Sequence, residues 1–237
     1  MRWDAYLAFK TAGILTFVFA GAFYAHKKQN LPLMKCLVVT ALVAAAGFAA
    51  SRFWFIAQYA LGSEPYDPKD LLEAWNEAGS VLYGWIIGGT AALILLTNLF
   101  KINTVRFLDR VVPWMLLAQM LNRFGCFAGE CCWGRPTDLF LRVWNSHEKA
   151  MVHPVQLYEA AFDGLLFYFV LRRQKRAGEA SFLYYTGYAA GRFLLEFLRG
   201  DNHAAFLGLT VPQITSVFVL LAVFLLWKTP EVKNQLS

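Results

Sequence analysis

Charge is scarce in this chain. Asp, Glu, Lys and Arg make up only 16% of its 237 residues, against 58% hydrophobic residues, and the mean hydropathy is +0.43. That scarcity excludes an ordinary soluble domain, in which about a quarter of residues are charged. Long Lys/Arg runs are also missing, so the net charge of +6 gives no reason to expect nucleic acid as a partner. The basic residues gather instead in short segments between apolar stretches, the pattern that orients membrane proteins. There are no repeats and no disordered linkers, which leaves a single transmembrane domain over 1–237. Asp4 and Lys10 interrupt the start and no small-residue cleavage site follows, so the first apolar stretch is expected to be a retained span.

Seven apolar segments are present, at about 5–25, 33–60, 79–100, 112–128, 156–171, 181–198 and 208–227. A helical span needs about 20 such residues. The pattern predicts an all-α, polytopic membrane bundle of seven transmembrane helices. The second segment is long enough to tilt or protrude. The fourth is short and contains Gly125 and Gly129; it is expected to be broken or partly re-entrant, which protein or water must then cover. Connecting segments alternate in charge. His26, Lys27, Lys28 and Lys35, then Lys101, Arg106 and Arg110, then Arg172, Arg173, Lys175 and Arg176, then Lys228 and Lys233 mark one side. Glu64, Asp67, Asp70, Glu73, Glu77 and Asp201 mark the other. The positive-inside rule puts the first set in the cytoplasm, with the N-terminus outside and the C-terminus inside. Two outer segments follow, at about 61–78, read as an interfacial helix, and a longer loop at about 129–155.

Arg52, Arg123, Arg192 and Glu196 lie inside or at the edge of apolar stretches. A central Arg costs ~2.5–3.5 kcal/mol on insertion scales, so these groups are expected to face a polar cavity and meet anions there. A cationic cavity in a membrane suggests a lipid phosphate. Tyr188, Arg192, Glu196 and Arg199, spaced four, four and three apart, form one stripe on a helix. Arg192 offers a planar fork of donors for phosphate and Glu196 could hold that fork; an internal ion pair fixing bundle packing is the simpler reading.

Three further motifs carry candidate chemistry. Asn122-Arg123-Phe124-Gly125-Cys126 runs on to Glu130-Cys131-Cys132-Trp133-Gly134-Arg135. The Cys-x4-Cys-Cys spacing is a poor zinc signature, because structural sites favour Cys-x2-Cys or His partners, and no metal or other cofactor is expected. A disulfide, a reactive thiol activated by Arg123, and tight small-residue packing all remain open. His153-Pro154-Val155-Gln156-Leu157-Tyr158-Glu159 reads as a helix start, or as a helix end aimed at an anion with His153 and Gln156, Glu159 pairing with an Arg. Tyr83-Gly84 with Gly88 gives a small-residue packing face, with Tyr83 as an interfacial anchor or a phenol at a cavity mouth.

Taken together these motifs resemble the prolipoprotein diacylglyceryl transferase family. The resemblance rests on Arg123-Phe124-Gly125, Trp133-Gly134-Arg135-Pro136-Thr137-Asp138, His153-Pro154-x-Gln156-Leu157-Tyr158-Glu159 and Gly187-Tyr188-x3-Arg192-Phe193-x2-Glu196-Phe197-x-Arg199. It extends to Arg52, to Tyr83-Gly84, and to Gly208-Leu209-Thr210 with Gln213 and Ser216. It implies a seven-span enzyme of the bacterial cytoplasmic (inner) membrane with its active site toward the periplasm. Such enzymes move the diacylglyceryl group of phosphatidylglycerol to the lipobox cysteine of a preprolipoprotein, and glycerol phosphate leaves. It implies that Arg123 and Arg192 hold the lipid phosphate beside Tyr188. Arg52, Cys126, Gly134, His153, Gln156, Glu196 and Arg199 would line the substrate site, and Tyr83, Glu130 and Cys131 would join the catalytic group. Three positions depart from the family pattern: Cys126 stands for Asn, Cys131 for Glu and Tyr83 for His. The anion-binding half looks intact and the acceptor-activating half rebuilt, which suggests a paralogue with the same donor and another acceptor protein or small molecule. A lipid transporter and a non-catalytic or thiol-redox relative are the rival readings.

Overall fold

The computed structural model describes residues 3–60, 82–201 and 204–228; the segment expected at 61–78 lies outside them. α1 (Trp3–Leu15) runs through a π turn at Thr16–Ala20 into α2 (Gly21–Gln29). Asn30, left-handed at φ 50, ends that run, and His26, Lys27 and Lys28 fill its last turn, where cations meet the negative end of the helix. α3 (Leu33–Ala60) and α4 (Leu82–Leu99) follow. Then come α5 (Thr104–Ala128), α6 (Val155–Arg172), α7 (Glu179–Leu195) and α8 (Val211–Lys228). Each apolar stretch found in the sequence overlaps a helix among the described residues, although the last begins in β-structure at Leu209–Thr210. Among the described residues three runs, Asp4–Gln29, Leu33–Ala57 and Leu82–Leu99, are long and apolar enough to cross a membrane, and Val211–Trp227 is apolar but shorter. Large apolar side chains such as Phe53, Leu95, Leu165 and Phe218 stay exposed on the outside of the bundle, a surface that suits lipid rather than water.

The fold departs from expectation at two places. α5 is continuous, neither broken nor re-entrant. Gly125 lies within it, and a Cβ there would sit 3.1 Å from Phe9 Cβ and 3.2 Å from the Tyr6 carbonyl of α1. The glycine permits two helices to touch and does not interrupt one; Gly129 is simply the residue after the last turn. The described residues also contain two short hairpins beside the helices. β1 (Val143–Asn145) pairs antiparallel with β2 (Ala150–Val152), and β3 (Ala204–Phe206) with β4 (Leu209–Thr210).

α5 is the axis of the bundle. Phe107 and Val111 pack with Phe17, Val39, Val43 and Leu93 on one side, and Val112 and Leu116 pack with Ile86, Leu166, Val170 and Tyr184 on the other. Cys36 is fully buried in the first of these groups, as a small apolar side chain. α3 and α4 approach closely on the Gly84 face: a Cβ at Gly84 would lie 2.6 Å from Ser51 Cα.

Asp109 shows how α5 fixes a neighbour. Its buried carboxylate accepts from Gly178 N at 2.5 Å, Ser181 N at 2.9 Å and Ser181 Oγ at 2.5 Å. It thereby satisfies the open donors at the start of α7, whose flanking Gly178 offers no side chain. Asp109→Ala strands these donors and is expected to cost about 3 kcal/mol, read as a lower thermal midpoint in detergent. A change equivalent to less than ~1 kcal/mol would contradict this role.

Candidate active site at the helix ends

Three arginines converge at one end of the bundle, each from a different stretch of chain. Arg123 lies near the end of α5, Arg192 near the end of α7, and Arg199 just past a 3-10 turn at Glu196–Leu198. All three are buried, with 7%, 8% and 6% exposure. Glu159 of α6, four residues past the helix start, stands between them. Its Oε2 lies 3.0 Å from Arg123 Nε and 3.7 Å from Arg199 Nη1; its Oε1 accepts from Arg192 Nη1 at 2.8 Å. Arg192 Nη2 turns to Glu196 at 2.7 Å, the i,i+4 pair read from the sequence stripe. Arg199 makes a two-bond fork with Asp201, 2.7 Å each. Asp163, one turn beyond Glu159, is buried as well.

The arginines are therefore close but not bare. Lone charges could not be held there, since an unpaired buried ion costs several kcal/mol. Glu159 and Glu196 offset Arg192 and also orient its fork. Arg123 meets Glu159 through Nε. Tyr188, one turn before Arg192, is buried and its hydroxyl has no hydrogen-bond partner among the described residues. The Tyr83 ring stands edge-on to it at 6.0 Å. Ser216 Oγ donates to the Pro212 carbonyl, so Tyr83 donates to Ser216 at 2.5 Å. Thr210 donates to Glu196 at 2.8 Å.

The Cys-rich turn is tied to this cluster by a short ladder. Arg135 N donates to Leu198 O at 2.8 Å, Gly200 N to Trp133 O at 3.0 Å, and Gly134 bridges Arg199. Gly134 is needed here: a Cβ would fall 2.5 Å from the His153 carbonyl. Gln156 Nε2 donates to Cys131 O at 2.6 Å. Cys126, Cys131 and Cys132 are free thiols whose sulfurs lie within 4.8 Å of one another. Hydrogen bonds from Cys126 and Cys131, then the Arg199 and Arg123 charges, hold the Cys132 thiol well below its usual range. The Cys126 bond lowers the Cys131 thiol too, but hydrogen bonding to Cys132, burial and the Cys132 charge together push it up to about 12.

Of the residues picked from the sequence, Arg123, Arg192, Glu196, Arg199, Tyr188 and Tyr83 come together. Cys126, Cys131, Gln156 and Gly134 lie beside them, and His153 flanks Gly134 with its ring edge-on to Tyr158. Glu130 does not join the arginines. It accepts from Ser146 Oγ at 2.5 Å in the loop before α6, a bond that lowers its pKa. Arg52 is half-buried in α3, where its charge acts on Lys10 of α1. The residue the sequence underweighted is Glu159. A carboxylate five residues after a Pro-led start to an apolar helix was the available signal, and Asp163, one turn further along, repeats it.

A sequence profile described as prolipoprotein diacylglyceryl transferase matches residues 2–229. The phosphatidylglycerol–prolipoprotein diacylglyceryl transferase of Clostridium tetani is 36% identical over 163 residues, 65% of this chain and 65% of the relative. The second such enzyme of Clostridium perfringens is 32% identical, over 66% of this chain and 64% of the relative. That of Staphylococcus aureus is 30% identical, over 74% and 66%. This chain thus aligns with slightly under two thirds of the length of each of these relatives.

Proposed function

The chain belongs to the prolipoprotein diacylglyceryl transferase family, and from that premise we propose that it transfers the diacylglyceryl group of phosphatidylglycerol to a thiol, with a prolipoprotein cysteine as acceptor and glycerol phosphate as the leaving product. The observation that supports this reading is the buried convergence of Arg123 and Arg192 around Glu159, beside the Tyr188 hydroxyl, which has no hydrogen-bond partner among the described residues. Displacement at carbon develops charge on the departing phosphate. Fixed guanidinium donors in a water-poor site stabilise that charge without reorganising, and Tyr188 offers one further donor. Glu159 and Glu196 keep the forks aimed when no lipid is bound.

In this reading seven spans, the first made of α1 and α2 together, cross the cytoplasmic membrane of a bacterium with the N-terminus outside, and the arginine end opens toward the periplasm. The basic residues at the ends of α2 and α6 support that orientation. Arg199 positions the Cys-rich turn through the ladder to Trp133–Arg135. Tyr83 stands where the family pattern has His; a phenol with pKa near 10 is a poor base at neutral pH, and this one is already spent on Ser216. Activation of the acceptor thiol must then come from elsewhere in the site.

The test is direct. Purified protein, given phosphatidylglycerol and a lipobox peptide with its cysteine, is expected to release glycerol phosphate and to yield a thioether-linked diacylglyceryl peptide by mass spectrometry. No release with any thiol peptide would overturn the proposal.

A further inference from the structure

Sequence spacing gave no reason for Cys126 and Cys131 to meet, and adjacent side chains such as Cys131 and Cys132 ordinarily diverge. The end of α5 brings all three together. Cys131 N bonds to Cys126 O at 3.1 Å and Glu130 N to Phe127 O at 3.2 Å, with Glu130 left-handed at φ 53. This is a Schellman ending, in which the third-last helical residue contacts the second residue beyond the cap; here both are cysteines. Cys132 is itself left-handed at φ 63 and turns the chain back, so its sulfur joins the other two.

Two non-glycine residues in that conformation are strained, and such strain persists only where surroundings over-determine it. The surroundings do so: Gln156 holds the Cys131 carbonyl, and the Trp133–Arg135 ladder clamps the next residues. Supported ligands of this kind are what metal sites require.

We propose that Cys126, Cys131 and Cys132 bind one thiophilic divalent cation, zinc, as three thiolates with a fourth position left open for the acceptor thiol; the last part rests on the transfer reaction above. Zinc–sulfur bonds of about 2.3 Å in a tetrahedron place sulfurs ~3.8 Å apart, which a small contraction of the present cluster reaches. Structural zinc takes four protein ligands, whereas three and an open position mark a working site. Among the described residues no His, Asp or Glu completes the group. Three thiolates on Zn2+ carry one net negative charge, and Arg123 and Arg199 lie near to balance it. The family's acceptor side is altered at two of these same cysteines, where a metal would replace the missing base. The acceptor thiol gives its proton to water on binding the ion. Its sulfur then attacks the glyceryl carbon; the C–S bond forms, the C–O bond breaks, and the electron pair leaves on glycerol phosphate. No oxidant or reductant is needed.

The experiment is metal analysis of the full chain purified in detergent from zinc-supplemented cells, followed by Cd2+ titration of the stripped protein. One zinc per chain is expected, with a thiolate-to-metal charge-transfer band on Cd2+ addition. Cys126→Ser and Cys131→Ser should each lose more than nine tenths of the zinc, while Cys36→Ala, a buried cysteine elsewhere, keeps it. A lipobox peptide should enlarge the cadmium band, and its Cys→Ser counterpart should not. Zinc at background in the wild-type protein, zinc retained by both cluster variants, or a disulfide within the cluster would overturn the site. A cadmium band indifferent to the peptide would overturn the acceptor role. Metal bound without glycerol phosphate release would sink the transfer reading and leave the site standing; release without metal would do the reverse.

Discussion

Glu159→Gln is expected to lower the thermal midpoint of the detergent-solubilised protein by on the order of 10 °C. The substitution keeps the side chain's shape and removes the charge that faces Arg123 at 3.0 Å, Arg192 at 2.8 Å and Arg199 at 3.7 Å. Removing one partner from a buried ion cluster costs about 3–5 kcal/mol, because the other charges stay behind without compensation, and each kcal/mol moves a domain of this size by about 2–4 °C. The same variant is expected to regain more of its midpoint with phosphatidylglycerol than with a neutral lipid, since an anion then supplies what the carboxylate did. A loss of less than ~1 kcal/mol, or equal rescue by both lipids, would mean that Glu159 does not organise the arginines.

Arg192→Ala is expected to cut kcat/KM for diacylglyceryl transfer by about 10²–10³. Arg192 reaches two carboxylates with separate nitrogens, Glu159 at 2.8 Å and Glu196 at 2.7 Å, which fixes the plane of its guanidinium. Lys offers a single ammonium in place of that planar fork, so Arg192→Lys should lie closer to Ala than to the wild type. The comparison separates a role for the fork from a role for charge alone. If Lys restores most of the activity, the plane of the guanidinium is irrelevant.

The helices were legible because apolar stretches separate the charged segments, and the arginines stood out because charge is so rare among them. The role of Gly125 in α5 was not legible. Gly125 reads as a weak point in isolation, and only the presence of Tyr6 and Phe9 on α1 makes it a contact surface. Asp109 was invisible for a similar reason: its partners at Gly178 and Ser181 lie some seventy residues away. Spacing identified the Arg192–Glu196 pair, since four residues on a helix share a face. It could not place Glu159 between three arginines, which depends on how α5, α6 and α7 end together. The cysteines were judged on a linear pattern, whereas a helix ending with a left-handed Glu130 decides which sulfurs meet.

The central claim is that Arg123 and Arg192 form a receptor for the phosphate of an anionic glycerophospholipid. Native mass spectrometry of the protein released from nanodiscs of mixed phosphatidylglycerol and phosphatidylethanolamine tests it most directly. The wild-type chain is expected to retain one phosphatidylglycerol in preference to phosphatidylethanolamine, and Arg123→Gln to lose that preference. Equal retention of the two lipids by the wild type, or an unchanged preference in the variant, would contradict the account.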